Sequence, residues 1–307
     1  MILRFPGIKL VLTRRQGNIQ KGRIMKKYAL IGHPLGHSLS PQIHTRLMQL
    51  SGVDGSYELL DIPPEELSAN FDKLAALDGF NATIPHKVGI IPYCGRLDAS
   101  AERFGSVNCV RNDGGKVGYN TDVFGFTRSI GMLGADLASH VIVIGCGGVG
   151  RMIAAEAAYK GGDVTVAVLP DFLTDAEKTI SSVKSRMPRA RVRTAEIKSG
   201  TLSAGDFGGN IPAFDLLINA SPVGMFPKVD AMPCSEDVIT HCGYVFDVVY
   251  NPNETLLAKI ARSLGKPAMT GMAMLVLQAA AAQEIWNGGK FSDSDLKDLI
   301  SDMEKLI

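Results

Sequence analysis

The segment VIVIGCGGVGRMIAAEAA, which begins at Val141, restricts the fold of this 307-residue chain more than any other feature. It carries a G-x-G-x-x-G pattern at Gly145, Gly147 and Gly150, directly between a Val- and Ile-rich run and an Ala-rich run. Glycines with this spacing permit a tight turn, a close approach to the backbone and close packing of a helix on its strand. The first turn of that helix also offers free N–H groups to an anion. The segment therefore predicts a strand, a turn and a helix that bind the pyrophosphate of a dinucleotide.

Apolar runs of strand length alternate with helical patterns from residue 27 onward, which predicts an α/β fold with mostly parallel sheets. Because 307 residues exceed what one hydrophobic core usually serves, we expect two domains. The apolar segment GMAMLVLQAAAAQEIWNGG, which begins at Gly271, predicts a helix that is surrounded by protein. The predicted division is an extension at 1–25, a first α/β domain at 26–122, a nucleotide-binding domain at 123–264 and C-terminal helices at 265–307.

The composition favours a small-molecule partner. The formal net charge is +1, so there is no basic field that would draw the chain onto nucleic acid or anionic lipid. The longest apolar stretch, of about fifteen residues, falls short of the roughly 20 residues that span a bilayer. The five cysteines form no C-x-x-C pair and the six histidines show no metal-ligand spacing, so we expect reduced thiols, no metal and a cytoplasmic location.

The first 25 residues are basic, and no acidic residue precedes Asp54. The order of charged and apolar residues does not fit a secretory signal. Two interpretations stay open, an organellar transit peptide and an extension after which Met25 opens the folded part.

The predicted strand VTVAV ends near Val168 and is followed by LPDF, at the place where a dinucleotide site selects its ribose. An acidic residue there accepts bonds from a free 2′-hydroxyl, whereas an Arg would bind a 2′-phosphate. Asp171 is the acidic candidate, and no Arg is adjacent. The sequence therefore favours NAD over NADP, and a helix cap is the alternative role for Asp171.

A nicotinamide site that acts on an alcohol or a ketone also needs a group that handles a proton, and without a metal that group is a Lys or a His. FNATIPHK presents Lys87 after a strand-like run. Further polar side chains follow other predicted strands or precede helices, and each has a helix cap or a hairpin as its alternative role. They are Ser38, Ser40, Asn108, Asn120, Thr121 and Asp122. Together they suit a polyhydroxylated acid.

From about Lys27 to Gly288 the chain resembles the shikimate/quinate dehydrogenase family. The motifs that carry the resemblance are SLSP, NATIPHK, SVN, NTD, GCGGVG, NASPVGM and GMAMLVLQAA, in this order. The resemblance implies a two-domain α/β enzyme with an N-terminal substrate domain, a Rossmann-type doubly wound domain, a cleft between them and a last helix that returns to the first domain. It also implies the reversible NAD(P)-dependent reduction of 3-dehydroshikimate to shikimate in aromatic amino acid biosynthesis, by a monomer or homodimer.

Residue roles follow from the same resemblance. Lys87 and Asp122 match a catalytic lysine and its aspartate. The serine pair, Ser38 and Ser40, matches the group that holds the substrate carboxylate. The other implied substrate contacts are Asn81, Thr83, Asn108, Tyr250 and Gln278. The implied cofactor contacts are Gly145, Gly147, Gly148, Val149, Gly150, Asp171 and Gly271.

The chain departs from the family pattern after the second nucleotide-domain strand. Relatives that use NADP carry an NRT-like stretch where this chain has Val168, Leu169 and Pro170. That departure brings forward an NAD-using, quinate-accepting dehydrogenase, while the SLSP serines resemble the shikimate-selective pattern. A nucleotide-sensing regulator without catalysis is a further alternative, although a sensor has no need of both Lys87 and Asp122.

Overall fold

The computed structural model describes residues 25–36 and 38–307. Apart from Met25, the predicted N-terminal extension lies outside the described residues, as does His37. The described chain forms two six-stranded sheets. We call the sheet of the first part with its helices the first lobe, and the later sheet with its helices the second lobe.

The first sheet has the strand order β2-β1-β3-β5-β6-β4. The strands are β1 Lys26–Gly32, β2 Gly55–Asp61, β3 Gly79–Ala82, β4 Arg96–Leu97, β5 Cys109–Arg111 and β6 Val117–Tyr119. Strand β5 runs antiparallel to β3 and to β6, whereas the other pairs are parallel. The prediction of mostly parallel sheets is confirmed, and β5 is the exception because a short turn joins it to β6, which only antiparallel neighbours allow.

The second sheet is parallel throughout and has the order β12-β11-β10-β7-β8-β9. Its strands are β7 His140–Ile144, β8 Asp163–Val168, β9 Arg191–Glu196, β10 Phe214–Asn219, β11 Cys242–Asp247 and β12 Ala268–Met269. The connection direction reverses between β7 and β10, which is where ligands bind in doubly wound sheets. The Rossmann-type prediction is confirmed.

The helices are α1 Ser40–Ser51, α2 Leu67–Ala75, α3 His86–Gly89, α4 Ala99–Phe104, α5 Thr121–Leu133, α6 Gly148–Tyr159, α7 Leu173–Arg186, α8 Glu236–Thr240, α9 Leu256–Ser263, α10 Met272–Asn287 and α11 Asp293–Glu304. Helix α1 ends at Gly52 in the left-handed conformation, as its sequence predicts. Ser40 is not its N-cap but its first residue, and the cap residue Leu39 makes no side-chain bond. No helix of residues 25–36 and 38–307 has the length and apolarity that a membrane crossing requires.

Helix α10 returns to the first lobe, as predicted. Its Trp286 stacks on Tyr28 of β1 with 4.5 Å between ring centroids, and its indole N–H donates to the Val110 carbonyl at 2.9 Å. Near the start of the helix, the Met274 carbonyl would lie 2.6 Å from a Cβ at Gly125, so α5 and α10 approach with no side chain between them. Helix α10 therefore packs against both the first sheet and α5. The residue boundaries of the domains remain predictions.

Candidate active site

Lys87 lies in the one-turn helix α3, a few residues after β3. The Lys87 Nζ atom is 2.6 Å from Asp122 Oδ2, and Asn108 Nδ2 donates to the other carboxylate oxygen at 2.8 Å. The side chains of Lys87 and Asp122 keep 25% and 17% of their exposure. The carboxylate is thus held by two donors, while the ammonium stays accessible to a ligand.

Asp122 sits in the first turn of α5, where the helix dipole favours a negative charge. The N-cap is Asn120, whose side chain accepts from the Asp122 N–H at 3.1 Å. The alternative role of Asp122 as a helix cap is therefore wrong, and Asn120 takes that role. Asn108 also accepts from the Thr121 N–H at 2.6 Å, so one side chain connects the end of the loop before β5 to the start of α5.

Two amides beside this pair are fixed by neighbours. Asn81, which is buried, accepts from the Tyr57 hydroxyl at 2.8 Å and donates to the Asn108 carbonyl at 3.0 Å. Gln278 of α10 lies with its Oε1 3.3 Å from the Thr121 hydroxyl. Tyr57 escaped the sequence analysis because a tyrosine inside a strand carries no signal beyond core packing.

The other predicted substrate contacts lie at the start of α1 or after strands. Ser38 is half-buried, Ser40 is buried, and the Ser38 hydroxyl accepts from the Ser40 N–H at 3.2 Å. Thr83 directly follows β3 and Tyr250 follows β11, and both are half-buried. Within residues 25–36 and 38–307, no side-chain hydrogen bond joins Ser38, Thr83 or Tyr250 to the Lys87–Asp122 pair.

The glycine loop follows β7 at the switch point, and its glycines have different surroundings. Gly145 has φ +97°, and a Cβ there would lie 3.0 Å from the Ala220 carbonyl oxygen. A Cβ at Gly150 would lie 2.4 Å from the Gly145 oxygen, so α6 packs closely on the turn. Gly147 and Gly148, in contrast, have open space where a Cβ would stand. The loop therefore leaves its outer side free for an anion.

The remaining predicted cofactor contacts are placed differently. Val149 is half-buried in the first turn of α6. Asp171 is exposed in the turn Pro170–Phe172 after β8, and its side chain caps no helix. Gly271 precedes α10, and a Cβ there would lie only 1.9 Å from the Val248 carbonyl oxygen. Gly271 thus has a packing reason for being glycine, whatever it contacts.

Asp247, which the sequence analysis did not select, is a buried carboxylate at the end of β11. One oxygen accepts from Asn219 Nδ2 at 2.9 Å and from the Val249 N–H at 3.1 Å, and the other from the Thr255 hydroxyl at 2.7 Å. Burial raises the pKa of Asp247 to about 6, although these three hydrogen bonds oppose the rise. The carboxylate joins the ends of β10 and β11 to the start of α9.

We expect Asp247→Asn to remove a pH dependence of stability. Because the folded pKa of Asp247 is about 6, above the ordinary aspartate pKa of 3.8, the folded state holds this proton more tightly. Its contribution to the free energy of unfolding is therefore full below about pH 4 and falls by about 1.4 kcal/mol per pH unit until about pH 6. Urea unfolding between pH 4 and pH 7 measures this effect. As the pH rises, the free energy of unfolding of the wild-type protein should fall relative to that of the variant. Asp230→Asn, at an exposed position, is the control and should keep the pH dependence of the wild-type protein. The expectation would be contradicted if the free energy of unfolding of Asp247→Asn followed the same pH dependence as that of the wild-type protein.

A dinucleotide loop on one lobe and a lysine–carboxylate pair on the other are the parts of NAD(P)-dependent oxidoreductases that act on CH–OH groups, and this is the class that the fold and the site define.

Comparison with known proteins identifies a family within this class. The family model described as the shikimate dehydrogenase substrate binding domain matches residues 30–110. A protein from Caldanaerobacter subterraneus named shikimate dehydrogenase (NADP(+)) is 36% identical over 88% of this chain and 94% of its own length.

Solved structures agree with the sequence comparison. A shikimate 5-dehydrogenase from Listeria monocytogenes, in complex with shikimate and NAD, superposes with a TM-score of 0.79 at 29% identity, over 90% of this chain and 96% of that one. A 5-ketofructose reductase from Gluconobacter superposes with a TM-score of 0.78 at 26% identity, over 91% of this chain and 99% of that one. The chain belongs to the shikimate dehydrogenase family.

Proposed function

We propose that the protein catalyses the reversible NAD(P)-dependent interconversion of shikimate and 3-dehydroshikimate. When bound, the nicotinamide accepts hydride from the CH–OH carbon in oxidation and returns it in reduction. The proton of the hydroxyl goes to, or comes from, a protein group. The Lys87–Asp122 contact of 2.6 Å, with Lys87 still accessible, is the observation that carries the proposal.

In reduction, the Lys87 ammonium donates to the ketone oxygen as negative charge develops there. In oxidation, the Lys87 amine accepts the hydroxyl proton while hydride leaves. Asp122 accepts from Lys87 through one oxygen and from Asn108 through the other, so the carboxylate orients the lysine and offsets its charge. A group that both gives and takes the proton suits a reversible reaction.

The polar groups around this pair suit a ring with a carboxylate and several hydroxyls. The Asn81 and Gln278 amides lie on the same hydrogen-bonded network as Asn108, and they offer both donors and acceptors. Ser40 is the first residue of α1 and Ser38 directly precedes the cap residue, so both hydroxyls lie at a helix N-terminus, which favours an anion. We assign the substrate carboxylate to the two serines and the ring hydroxyls to the amides.

For the cofactor, the residues after β8 favour NAD. Asp171 is exposed there, and Arg151, a nearby cation, has its Nη2 3.7 Å from Asp175 Oδ2 and donates from Nε to the Cys146 carbonyl. The names of curated relatives point to NADP. We propose that this chain differs from those relatives in preferring NAD, because the exposed Asp171 after β8 would repel a 2′-phosphate, whereas an Arg there would bind it.

Absorbance at 340 nm tests both parts of the proposal. The purified protein is offered shikimate or quinate with NAD or NADP, and the four values of kcat/KM are compared. We expect the highest value with shikimate and NAD. A higher value with quinate would make the protein a quinate dehydrogenase, and turnover with none of the four pairs would favour the sensing regulator.

Asp171→Asn should narrow the preference for NAD. A unit charge about 4 Å from a phosphate oxygen in water interacts by about 1 kcal/mol, which corresponds to roughly fivefold in kcat/KM. We therefore expect the ratio of NAD to NADP efficiency to fall by that factor, while Glu177→Gln, on the exposed side of α7, leaves it unchanged. A wild-type protein that already prefers NADP would contradict the cofactor assignment without touching the substrate assignment.

A further inference from the structure

A buried carboxylate links the two lobes at a distance from the Lys87–Asp122 pair. Glu156 of α6 keeps 4% of its side-chain exposure, and its Oε2 accepts from Arg103 Nη1 of α4 at 2.9 Å. Helix α4 belongs to the first lobe, whereas α6 begins at the glycine loop of the second lobe. A buried charge needs a partner, and the nearer of the two cations beside Glu156 comes from the other lobe.

Further contacts hold the same arginine against the second lobe. The Arg103 guanidinium carbon lies 3.7 Å from the centroid of the Tyr159 ring, a cation–π stack. Arg186, in the last turn of α7, donates to the Arg103 carbonyl at 2.5 Å. The next residue, Phe104, packs against the core of the second lobe. The end of α4 is thus held against the second lobe by contacts with α6 and α7.

A few residues connect Arg103 to the Lys87–Asp122 pair. Four residues after Arg103, the Val107 N–H donates to the Lys87 carbonyl at 2.8 Å. The next side chain, Asn108, donates to Asp122. On the other side, Glu156 lies on the helix whose first turn forms the dinucleotide site. One rigid connection therefore runs from the glycine loop to both members of the pair.

We propose that Arg103 and Glu156 are positioning residues that set the distance between the glycine-loop helix and the Lys87–Asp122 pair. Neither touches a reacting atom. Their contact, which we call the interlobe tie, fixes the angle between the lobes, so that the dinucleotide site faces the carbon of the substrate CH–OH group and Lys87 faces the oxygen of that group. The catalytic consequence rests on the proposed function, whereas the mechanical one does not.

The test uses the full chain with Arg103→Met and Glu156→Leu combined. Replacing both partners avoids an unpaired buried charge, so the double variant is expected to fold. Lys160→Met is the matched control, because Lys160 lies 3.7 Å from the same carboxylate but on the same helix. Arg103→Lys is a second variant that keeps the charge and loses the planar stack on Tyr159.

Spin labels at Glu65→Cys and Lys184→Cys, both exposed and one on each lobe, report the interlobe distance. A Cys94→Ser background leaves the four buried native cysteines. We expect a broader distance distribution in the double variant and in Arg103→Lys, and the wild-type distribution in Lys160→Met. An unchanged distribution in the double variant would overturn the tie, whether or not the protein turns over shikimate.

Kinetics then separate positioning from binding. The dissociation constant of the dinucleotide should stay within about twofold in the double variant, because the glycine loop is intact, while kcat falls by about tenfold, since small misplacements of reacting groups are costly. Loss of dinucleotide binding instead would show that Glu156 only stabilises α6 and would overturn the positioning role. Absence of turnover in the wild-type protein would refute the proposed function and leave the distance measurement to decide the tie.

Discussion

Lys87→Ala is expected to lower kcat by at least roughly 10²-fold with little change in KM for shikimate. The reason is that Lys87 is assigned to proton transfer, which counts in the transition state, whereas the serines and amides bind the ground state. Steady-state rates at 340 nm in both directions measure the effect. Lys73→Ala, an exposed lysine of the same lobe, is the control.

Two further measurements test the role of Lys87 in proton transfer. Added primary amines should restore part of the Lys87→Ala rate, because a small ammonium fits the space that the side chain leaves. Asp122→Asn should also lower kcat, since the lysine then loses the carboxylate 2.6 Å away that orients it. A Lys87→Ala protein with near-normal kcat would remove Lys87 from the chemistry.

Trp286→Ala is expected to lower the free energy of unfolding by about 3–5 kcal/mol, the usual range for truncating a buried aromatic side chain. Trp286 is 9% exposed, stacks on Tyr28 and donates to the Val110 carbonyl. It also fills the space beside Gly79, where a Cβ would lie 2.3 Å from the indole nitrogen. Removing the Trp286 side chain should therefore weaken the packing of α10 on the first sheet.

Urea unfolding followed by circular dichroism measures this loss, because Trp286 is the sole tryptophan and its fluorescence disappears with it. Trp286→Phe keeps the ring stack and loses the hydrogen bond, so its free energy of unfolding should lie between those of the wild-type protein and Trp286→Ala. Phe172→Ala, at a side chain that is 56% exposed, should change little. A loss below about 1 kcal/mol in Trp286→Ala would mean that α10 contributes little to holding the first lobe.

The sequence predicts the second lobe well because its signals are local. The turn at Gly145 and the close approach at Gly150 follow from residue types within six positions of one another, and the structure has both. The first lobe is harder. The antiparallel placement of β5 depends on which strand it meets, and neither its length of three residues nor its composition states that partner.

Side chains that act through distant partners carry the least sequence signal. Tyr57, Asp247 and Glu156 look like ordinary strand and helix residues, and only the fold brings them to Asn81, Thr255 and Arg103. Ser40 and Asp122 fit a helix-cap pattern, yet a neighbouring residue takes the cap position in both cases. Local patterns thus locate the site to within a few residues but do not assign the bond that each residue makes.

A crystal structure of the ternary complex with shikimate and the oxidised dinucleotide tests the central claim most directly. The account predicts the Lys87 Nζ within about 3 Å of the hydroxyl that is oxidised, with the carbon of that hydroxyl facing the nicotinamide ring. A closed complex in which Lys87 points into solvent and another group contacts that hydroxyl would contradict it.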